Sequence, residues 1–151
     1  MGVNGMKVIS KTTQVAKFGK SAITVNRDYQ VPYLGATSKN GRTVYIDERF
    51  DPMMEYKGRQ INTIPFLKIH ELREWQFEHA GHEYEGAHDM ATKFERKAVE
   101  AAGIPWKVYQ DFCHKWVKKL TKITGSVPPD LEMAPEKHDA KMRKTIERFS
   151  A

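Results

Sequence analysis

The chain has 151 residues, of which 40% are apolar and 11% aromatic, and its formal net charge is +6 at pH 7. This length and composition predict one folded globular domain with its own core and exclude a disordered chain. No apolar run reaches the roughly 18 residues of a membrane span, and the first residues lack the apolar core of a signal peptide, so we expect a cytoplasmic protein without a membrane segment. The single cysteine, Cys113, excludes an intramolecular disulfide and a cysteine-based zinc cage.

The positive charge raises the question of nucleic-acid binding. Lys and Arg are spread over the N-terminal segment, residues 106–122 and the tail, where they alternate with acidic residues. This distribution favours a solvated surface, and no segment has the pattern of a groove-reading element. Nucleic acid is therefore an alternative partner that rests on net charge alone.

The first 50 residues have the pattern of short strands. The segments SAITVN, YQVPYLGATS and RTVYID are rich in β-branched and aromatic residues, and turn formers separate them. Asn40-Gly41 is a strong hairpin signal, so residues 29–38 and 42–47 are predicted to pair antiparallel. Pro32 cannot donate to a ladder, which favours an edge position for its strand. Residues 48–63 are predicted to form a loop.

Two helices are predicted in the middle of the chain. The first begins near Pro65, a residue suited to the first helical position, and ends near His79, before a glycine. The second covers residues 84–102, with Gly103 in the position favoured for a C-terminal cap.

A third helix is predicted to begin at Pro105. Its apolar residues recur at helical spacing and form one stripe, which predicts a face packed on the core. The stripe consists of Trp106, Tyr109, Phe112, Cys113, Trp116, Val117 and Leu120. Residues 1–125 are predicted to form one α+β domain, a small antiparallel hairpin or sheet followed by three packed helices. Residues 126–151 are predicted to form a proline-containing linker and a polar helix from about Lys137 to Phe149.

The two central helices carry histidines and glutamates on faces that are otherwise apolar. On the first helix His70 and Glu74 are one turn apart, so both side chains can reach a common point. On the second helix His88 and Glu95 interrupt a row of small and apolar residues. Burying an imidazole or a carboxylate is costly unless the group is paired or coordinated, so the pattern predicts that the two helices bring these groups together.

This arrangement predicts a metal site. His70, Glu74 and His88 would supply two nitrogens and one oxygen and leave a position for water, as in catalytic zinc sites. Glu95 is placed to hold the second nitrogen of a histidine ligand or to add a further ligand. Glu71 is the candidate general base on the metal-bound water. The metal-free alternative is a core His70 satisfied by Glu95, with Glu71 and Glu74 in solvent.

Other histidine patterns are weaker. His79 and His82 form a His-x-x-His pair, but they flank Gly81, and we interpret them as surface residues. Glu85 and His88 form a Glu-x-x-His unit of the kind found in di-iron bundles, which require a second such unit. The sequence has no second unit, so a carboxylate-bridged iron protein is the least supported alternative.

The segments KIHELREW and EGAHDMATKFE together resemble the metal-binding helices of zincin-type metallopeptidases. The first stands in place of the H-E-x-x-H helix, and the second in place of the helix with the third ligand. The segment VPYLGATSKNGRTVYID stands in place of the zincin sheet whose edge strand holds a peptide. The resemblance covers about residues 21–103. The combination of segments is similar to that of short bacterial and phage-encoded proteins with a TVYID-type strand, a His-Glu helix and a Tyr-x-x-Ala-His segment. In this chain the Tyr-x-x-Ala-His segment spans residues 84–88.

The resemblance implies a zincin-like fold and a zinc hydrolase, with Glu71 as general base and a peptide or protein substrate extended along the edge strand. The sequence departs from the zincin pattern at Glu74, which stands where zincins have the second histidine. The set His70, Glu74 and His88 still contains two histidines and a carboxylate, which suits zinc and also iron. The alternative is a catalytically inactive zincin-like module, such as a phage or prophage structural or interaction protein. Neither hypothesis predicts an oligomeric state.

Overall fold

The computed structural model of the protein describes residues 14–18 and 21–131. These residues form a four-stranded sheet, a separate two-stranded hairpin and three helices. The predicted α+β fold class is thereby confirmed. Among the described residues, no helix combines the length and the apolarity needed to cross a bilayer. The predicted polar helix from Lys137 to Phe149 lies outside the described residues.

The larger sheet contains β1 (Gln14–Phe18), β2 (Ser21–Asn26), β3 (Gly35–Thr37) and β4 (Thr43–Ile46), in the order β1-β2-β4-β3. β1 and β2 form an antiparallel hairpin, whereas β2 and β4 pair in parallel. β3 and β4 pair antiparallel, with Gly35 opposite Ile46 and Thr37 opposite Val44, as the Asn-Gly signal predicts. β3 is an edge strand, which agrees with the inference drawn from Pro32.

A short 3-10 turn, Pro32–Leu34, leads directly into β3. In this turn Tyr33 and Leu34 have φ values of 61° and 78°, which lie in the left-handed region that is uncommon for residues other than glycine. Leu34 is buried in the core, and its burial helps to offset the cost of this backbone conformation. The turn limits the strand predicted for residues 29–38 to three residues.

Residues 48–63 contain a hairpin, so the loop prediction was wrong. β5 (Met53–Tyr56) and β6 (Arg59–Asn62) pair antiparallel around Lys57 and Gly58. These two residues have φ values of 50° and 76°, as a two-residue type I′ turn requires. The prediction failed because each strand has only four residues and Lys-Gly is a weaker turn signal than Asn-Gly. Met54 is buried, so the hairpin covers one end of the core.

Three helices follow the hairpin: α1 (Ile64–His79), α2 (Tyr84–Ala101) and α3 (Trp106–Lys119), all close to the predicted bounds. α2 ends in a Schellman turn, in which Gly103 N donates to Glu100 O and Ile104 N donates to Val99 O. Gly103 has the positive φ that this turn requires, and Gly81 ends α1 in the same way. The short connections make α1 and α2 a helical hairpin.

α1 is buried on two sides, one facing the sheet and the other facing the helices. Ile64, Leu67 and Leu72 pack with residues of β2 and β4. Phe66 packs instead with Tyr109 and the end of α2. The stripe predicted on α3 packs against both clusters, which confirms that it belongs to the core.

Residues 126–131, which the sequence assigns to a linker, contact the sheet. Lys39 N donates to Asp130 O at 2.9 Å, and the Tyr45 hydroxyl donates to the Asp130 carboxylate at 2.6 Å. Leu131 forms an antiparallel bridge with Ser38, the residue after β3. Because Ser38 N is already bonded to the β4 side, this bridge lies on the outer edge of β3.

Candidate metal centre

The candidate site lies between α1 and α2, where small residues allow close helix packing. Ala87 and Ala91 on α2 are fully buried, and they let the helices approach until the His70 and His88 rings have centroids 4.7 Å apart. His70, His88 and Glu95 are 8%, 8% and 7% exposed. Groups of this polarity are buried at such a level only when they are paired or coordinated.

The three predicted ligands converge on one point. His70 Nε2 lies 3.1 Å from Glu74 Oε2 and 3.2 Å from His88 Nδ1, and His88 Nδ1 lies 2.8 Å from Glu74 Oε2. Two atoms bonded to the same tetrahedral zinc ion stand about 3.3 Å apart. The three side chains could therefore hold one metal ion, with the ligand atoms already near the required spacing.

Glu95 contacts the other nitrogen of His70, as predicted for a residue behind a ligand. His70 Nδ1 lies 2.9 Å from Glu95 Oε1, and Glu95 Oε2 accepts a 2.5 Å hydrogen bond from the Tyr109 hydroxyl. A carboxylate in this position holds a proton on Nδ1. In the neutral ring the Nε2 lone pair then faces Glu74 and His88, which is the tautomer that a metal ligand at Nε2 requires.

Two parts of the metal-free alternative can be compared with the structure: the pairing of His70 with Glu95 is present, and the solvent exposure of Glu74 is not. His70 does pair with Glu95. The Glu74 carboxylate, however, contacts both histidines, and its side chain is only 12% exposed. It is therefore a member of the buried cluster and not a solvated charge.

The buried carboxylates around His70 require a positive charge beside them. Burial tends to raise the pKa of Glu74, but the hydrogen bonds from His70 and His88 outweigh it and lower the pKa to about 2. Burial tends to lower the pKa of His70, but Glu95 and Glu74 outweigh it and hold the pKa well above its ordinary value. The ionised carboxylates can be balanced by a proton on His70 or by a divalent cation, so the two compete for the site.

Glu71, the predicted general base, is near enough to Glu74 and His70 for their charges to act on its carboxyl group. Its carboxylate lies against β3: a Cβ at Gly35 would stand 3.2 Å from Glu71 Oε2. The Thr37 hydroxyl donates to the Glu71 backbone oxygen at 3.1 Å and ties this turn of α1 to the edge strand. Burial and the charge of Glu74 raise the pKa of Glu71 to about 8. A carboxyl group with a pKa near neutrality is suited to accept and release a proton.

Tyr84 is a site residue to which sequence analysis gave no role. Its ring stacks on His88, with centroids 5.7 Å apart, and it is 6% exposed. Burial, followed by the charges of Glu74 and Glu71, raises the pKa of its phenol. The phenol therefore stays protonated at neutral pH. The available signal was its position one turn before His88 on the same face.

Tyr109 is the second residue whose contact with the site was missed. The stripe of α3 was assigned to packing alone, although a tyrosine hydroxyl that is buried needs a partner. Its acceptor is Glu95 on α2.

The remaining histidine patterns do not join the cluster. His79 and His82 are exposed, each packed on an aromatic ring of α1, which confirms that they are surface residues. Glu85 is also exposed. The Glu-x-x-His unit of the sequence is therefore not assembled around one point.

Two histidines and one carboxylate around a common point, with a fourth group behind one ligand, have the composition of a mononuclear metal centre. Unrelated folds build sites of this composition, so the donor set does not itself identify a family. Comparisons of the chain with protein-family models, with curated proteins and with solved structures gave no match.

Proposed function

We propose that the chain is a metal-dependent hydrolase, a zincin-like metallopeptidase whose zinc ion is held by His70, Glu74 and His88. The observation that carries this proposal is the approach of the three ligand atoms to within 3.2 Å of one another. These donors occupy three of the four positions of a tetrahedral ion and leave one for water. The same donors suit ferrous iron, which is the second candidate ion.

The chemistry that the ion supplies is Lewis-acid activation of a water molecule and a carbonyl group. Glu71 accepts the proton of the attacking water and delivers it to the leaving amine. Its pKa of about 8 reflects burial beside the negative charge of Glu74. With an ion held at the triad, the negative charge of Glu74 would be offset, and Glu71 would ionise more readily.

A peptide substrate is proposed to lie extended along the outer edge of β3. This strand is at the edge of the sheet, and Gly35 lies directly against the Glu71 carboxylate. When a peptide pairs with an edge strand, its main-chain hydrogen bonds provide affinity that does not depend on the peptide's sequence. Such pairing would bring a peptide bond close to Glu71.

We place this activity in the cytoplasm. Cys113 is a free cysteine packed against the core, and burial raises the pKa of its thiol. A single reduced thiol of this kind is typical of proteins in a reducing compartment.

Metal analysis of the untagged protein tests the site. We expect about one zinc or iron ion per chain in the wild type. His70→Ala and His88→Ala should lose it, because either change leaves two ligands. His79→Ala is the matched control, since this exposed histidine lies on the same helix and should leave the ion bound. A wild-type protein that binds neither ion would reject the site.

Glu71→Gln tests the reaction. The amide has the size of the carboxylate but cannot accept the water proton, so we expect turnover of a peptide library to fall at least about 100-fold while the metal content is unchanged. Glu85→Gln, an exposed change on α2, should alter neither quantity. Wild-type turnover in Glu71→Gln would eliminate this mechanism and leave the metal site standing.

A catalytically inactive interaction module, of the kind encoded by phages and prophages, is the second candidate. The observation that favours it is that Glu74 hydrogen-bonds to both histidines, so a proton can complete the cluster in place of an ion. Such a module would be isolated without metal, and a chelator would leave its free energy of unfolding unchanged. The metallopeptidase would lose stability under the same treatment.

A further inference from the structure

We propose that Tyr109, on α3, is a positioning residue of the metal centre. Its hydroxyl holds the Glu95 carboxylate, and Glu95 in turn holds His70 in the tautomer and orientation that bind the ion. The inference rests on the metal site proposed above. The zincin resemblance covers about residues 21–103, so α3 lies outside it.

Hydrogen bonds connect the three helices in one row. The Tyr109 hydroxyl donates to Glu95 Oε2 at 2.5 Å, and Glu95 Oε1 lies 2.9 Å from His70 Nδ1. Each bond uses a different carboxylate oxygen, so together they fix the plane of the carboxylate. With the histidine contact alone, the carboxylate could rotate about its last side-chain bond. Tyr109, Glu95 and His70 are 1%, 7% and 8% exposed, so all three members of the row are buried.

The position of the Tyr109 hydroxyl is set by packing. The ring makes an edge contact with Phe66 on α1, with centroids 5.5 Å apart and planes at 85°. It also contacts Trp106 at 5.5 Å. Ile104, at the Schellman turn between α2 and α3, packs in the same cluster. The phenol is therefore held independently of Glu95, as a group that positions another group must be.

The expected effect of the hydroxyl is on metal affinity. A histidine ligand whose second nitrogen is held does not have to select a tautomer or a rotamer when the ion binds, and loss of such a partner typically weakens binding about 10- to 100-fold. Tyr109 acts on His70 through Glu95, so its loss should give the lower end of that range. A role in core packing alone would affect stability and leave affinity unchanged.

The experiment measures zinc affinity by chelator competition, together with the NMR resonance of the His70 Nδ1 proton in the zinc-loaded protein. For Tyr109→Phe we expect about tenfold weaker zinc binding and a displaced Nδ1 resonance, because Glu95 loses its second donor. Trp106→Phe is the matched control. It changes the packing around the Tyr109 ring but keeps the hydroxyl, and it should leave both the affinity and the resonance as in the wild type.

Wild-type affinity and an unmoved resonance in Tyr109→Phe would overturn the inference while the metal site stands. A wild-type protein that binds no zinc would instead overturn the proposed function. If Tyr109→Phe does not fold, the coupling can be tested on the wild type by following the NMR resonance of the Tyr109 hydroxyl proton with and without zinc. The Tyr109 hydroxyl proton should resonate far downfield and move when zinc is added. A resonance that zinc leaves unchanged would contradict the coupling.

Discussion

Asp47, after β4, is a second buried carboxylate, and its surroundings differ from those of Glu74. It is fully buried and accepts hydrogen bonds from Val31 N at 3.0 Å and from Arg49 N, Nε and Nη2 at 2.8, 2.9 and 2.8 Å. Burial tends to raise its pKa, but the hydrogen bonds from Arg49 and Val31 outweigh burial, so the pKa lies below its ordinary value. Every partner of this carboxylate is a protein donor, so its role is to stabilise the turn that follows β4.

Asp47→Asn should therefore destabilise the protein in a pH-dependent way. At pH 7 we expect a loss of about 3 kcal/mol in the free energy of unfolding, because Arg49 keeps its charge without a counter-ion. The pKa is lower in the folded state, so the stabilisation is complete above the unfolded-state pKa of about 3.9 and is lost as the pH falls through the folded-state value. Urea unfolding of both proteins at a series of pH values should show the difference shrinking in acid.

Asp51→Asn is the control for this prediction, because Asp51 is exposed and caps the start of β5 through one 3.1 Å hydrogen bond. Its effect should be small at every pH. A difference between Asp47→Asn and the wild type that is the same at pH 7 and in acid would contradict the assignment of Asp47 as an ionised, hydrogen-bonded group.

Gly35→Ala tests the packing of the candidate base on β3. The added methyl group would stand 3.2 Å from Glu71 Oε2 and 3.3 Å from Ile46 Cδ1. Gly35 has an extended backbone, so the substitution adds no backbone strain. We expect a modest loss of stability, about 1 kcal/mol, with unchanged metal content and reduced turnover as the carboxylate shifts. Equal activity of Gly35→Ala and the wild type would show that Glu71 does not need this position.

At the residue scale the sequence predicts the members of the His–Glu cluster better than the residues that support them. His70, Glu74 and His88 are found because helical spacing is a local rule, and both helices are regular where these residues occur. Tyr109 is not found, because spacing within α3 says which residues face inward but not which helix they meet. That information depends on the angle between α2 and α3, which is set by contacts far apart in the chain.

At the scale of elements, the α1–α2 pair depends on the small residues of α2. Ala87 and Ala91 are fully buried between the helices. Larger side chains at these positions would separate the helices and enlarge the distance between His70 and His88. The spacing between the His70 and His88 rings is thus set by residues outside the His–Glu cluster.

Ala91→Leu should separate the helices. We expect a destabilisation of about 1–3 kcal/mol and a loss of metal binding that exceeds the loss of folded protein. Gly86→Ala is the control on the same helix, because a Cβ there meets no atom within 4 Å. It should keep the ion and gain about 0.5 kcal/mol through higher helix propensity. Metal binding that survives in Ala91→Leu would contradict the role given to helix spacing.

The two hairpins differ in whether the sequence predicts them. The β3–β4 hairpin is predicted because Asn40-Gly41 is a local signal with a defined turn. The β5–β6 hairpin is missed because its turn, Lys57-Gly58, places a lysine in the left-handed region, and packing of Met54, Tyr56 and Ile61 in the core compensates for the strain. This compensation depends on tertiary contacts, so no pattern within residues 53–62 indicates it.

At the scale of the whole molecule, the proposed ion would join two elements that the core already holds together. His70 and Glu74 belong to α1, which packs on the sheet, and His88 belongs to α2, which packs on α1. An ion bound by all three stabilises only the folded arrangement, since the unfolded chain does not hold these ligands together. Its contribution to stability is therefore set by its concentration relative to the dissociation constant.

Zinc should raise the midpoint of urea unfolding in the wild type and leave that of His88→Ala unchanged. With free zinc at 1,000 times the dissociation constant, we expect about 4 kcal/mol of additional stability. A chelator should reverse the increase. An equal response to zinc in the wild type and in His88→Ala would mean that the ion binds elsewhere.

The order of the strands is the part of the fold that the sequence leaves open. The pairing of β2 with β4 is parallel. The two strands are separated in the chain by the 3-10 turn, by the edge strand β3 and by the turn between β3 and β4. The contact of residues 130–131 with Ser38 and Lys39 is more distant still. Such pairings are selected by the assembled core, because no local signal in either segment specifies the partner.

If the proposed peptidase activity is correct, the contact between Leu131 and Ser38 would also limit the length of a product. A peptide laid against the outer edge of β3 would meet residues 130–131 at one end and could continue only past Gly35. Between that stop and Gly35, where the Glu71 carboxylate meets the strand, lie the residues of β3. The strand would then act as a spacer, and digestion of unrelated peptides should release fragments of one constant short length, counted from the end that abuts Leu131.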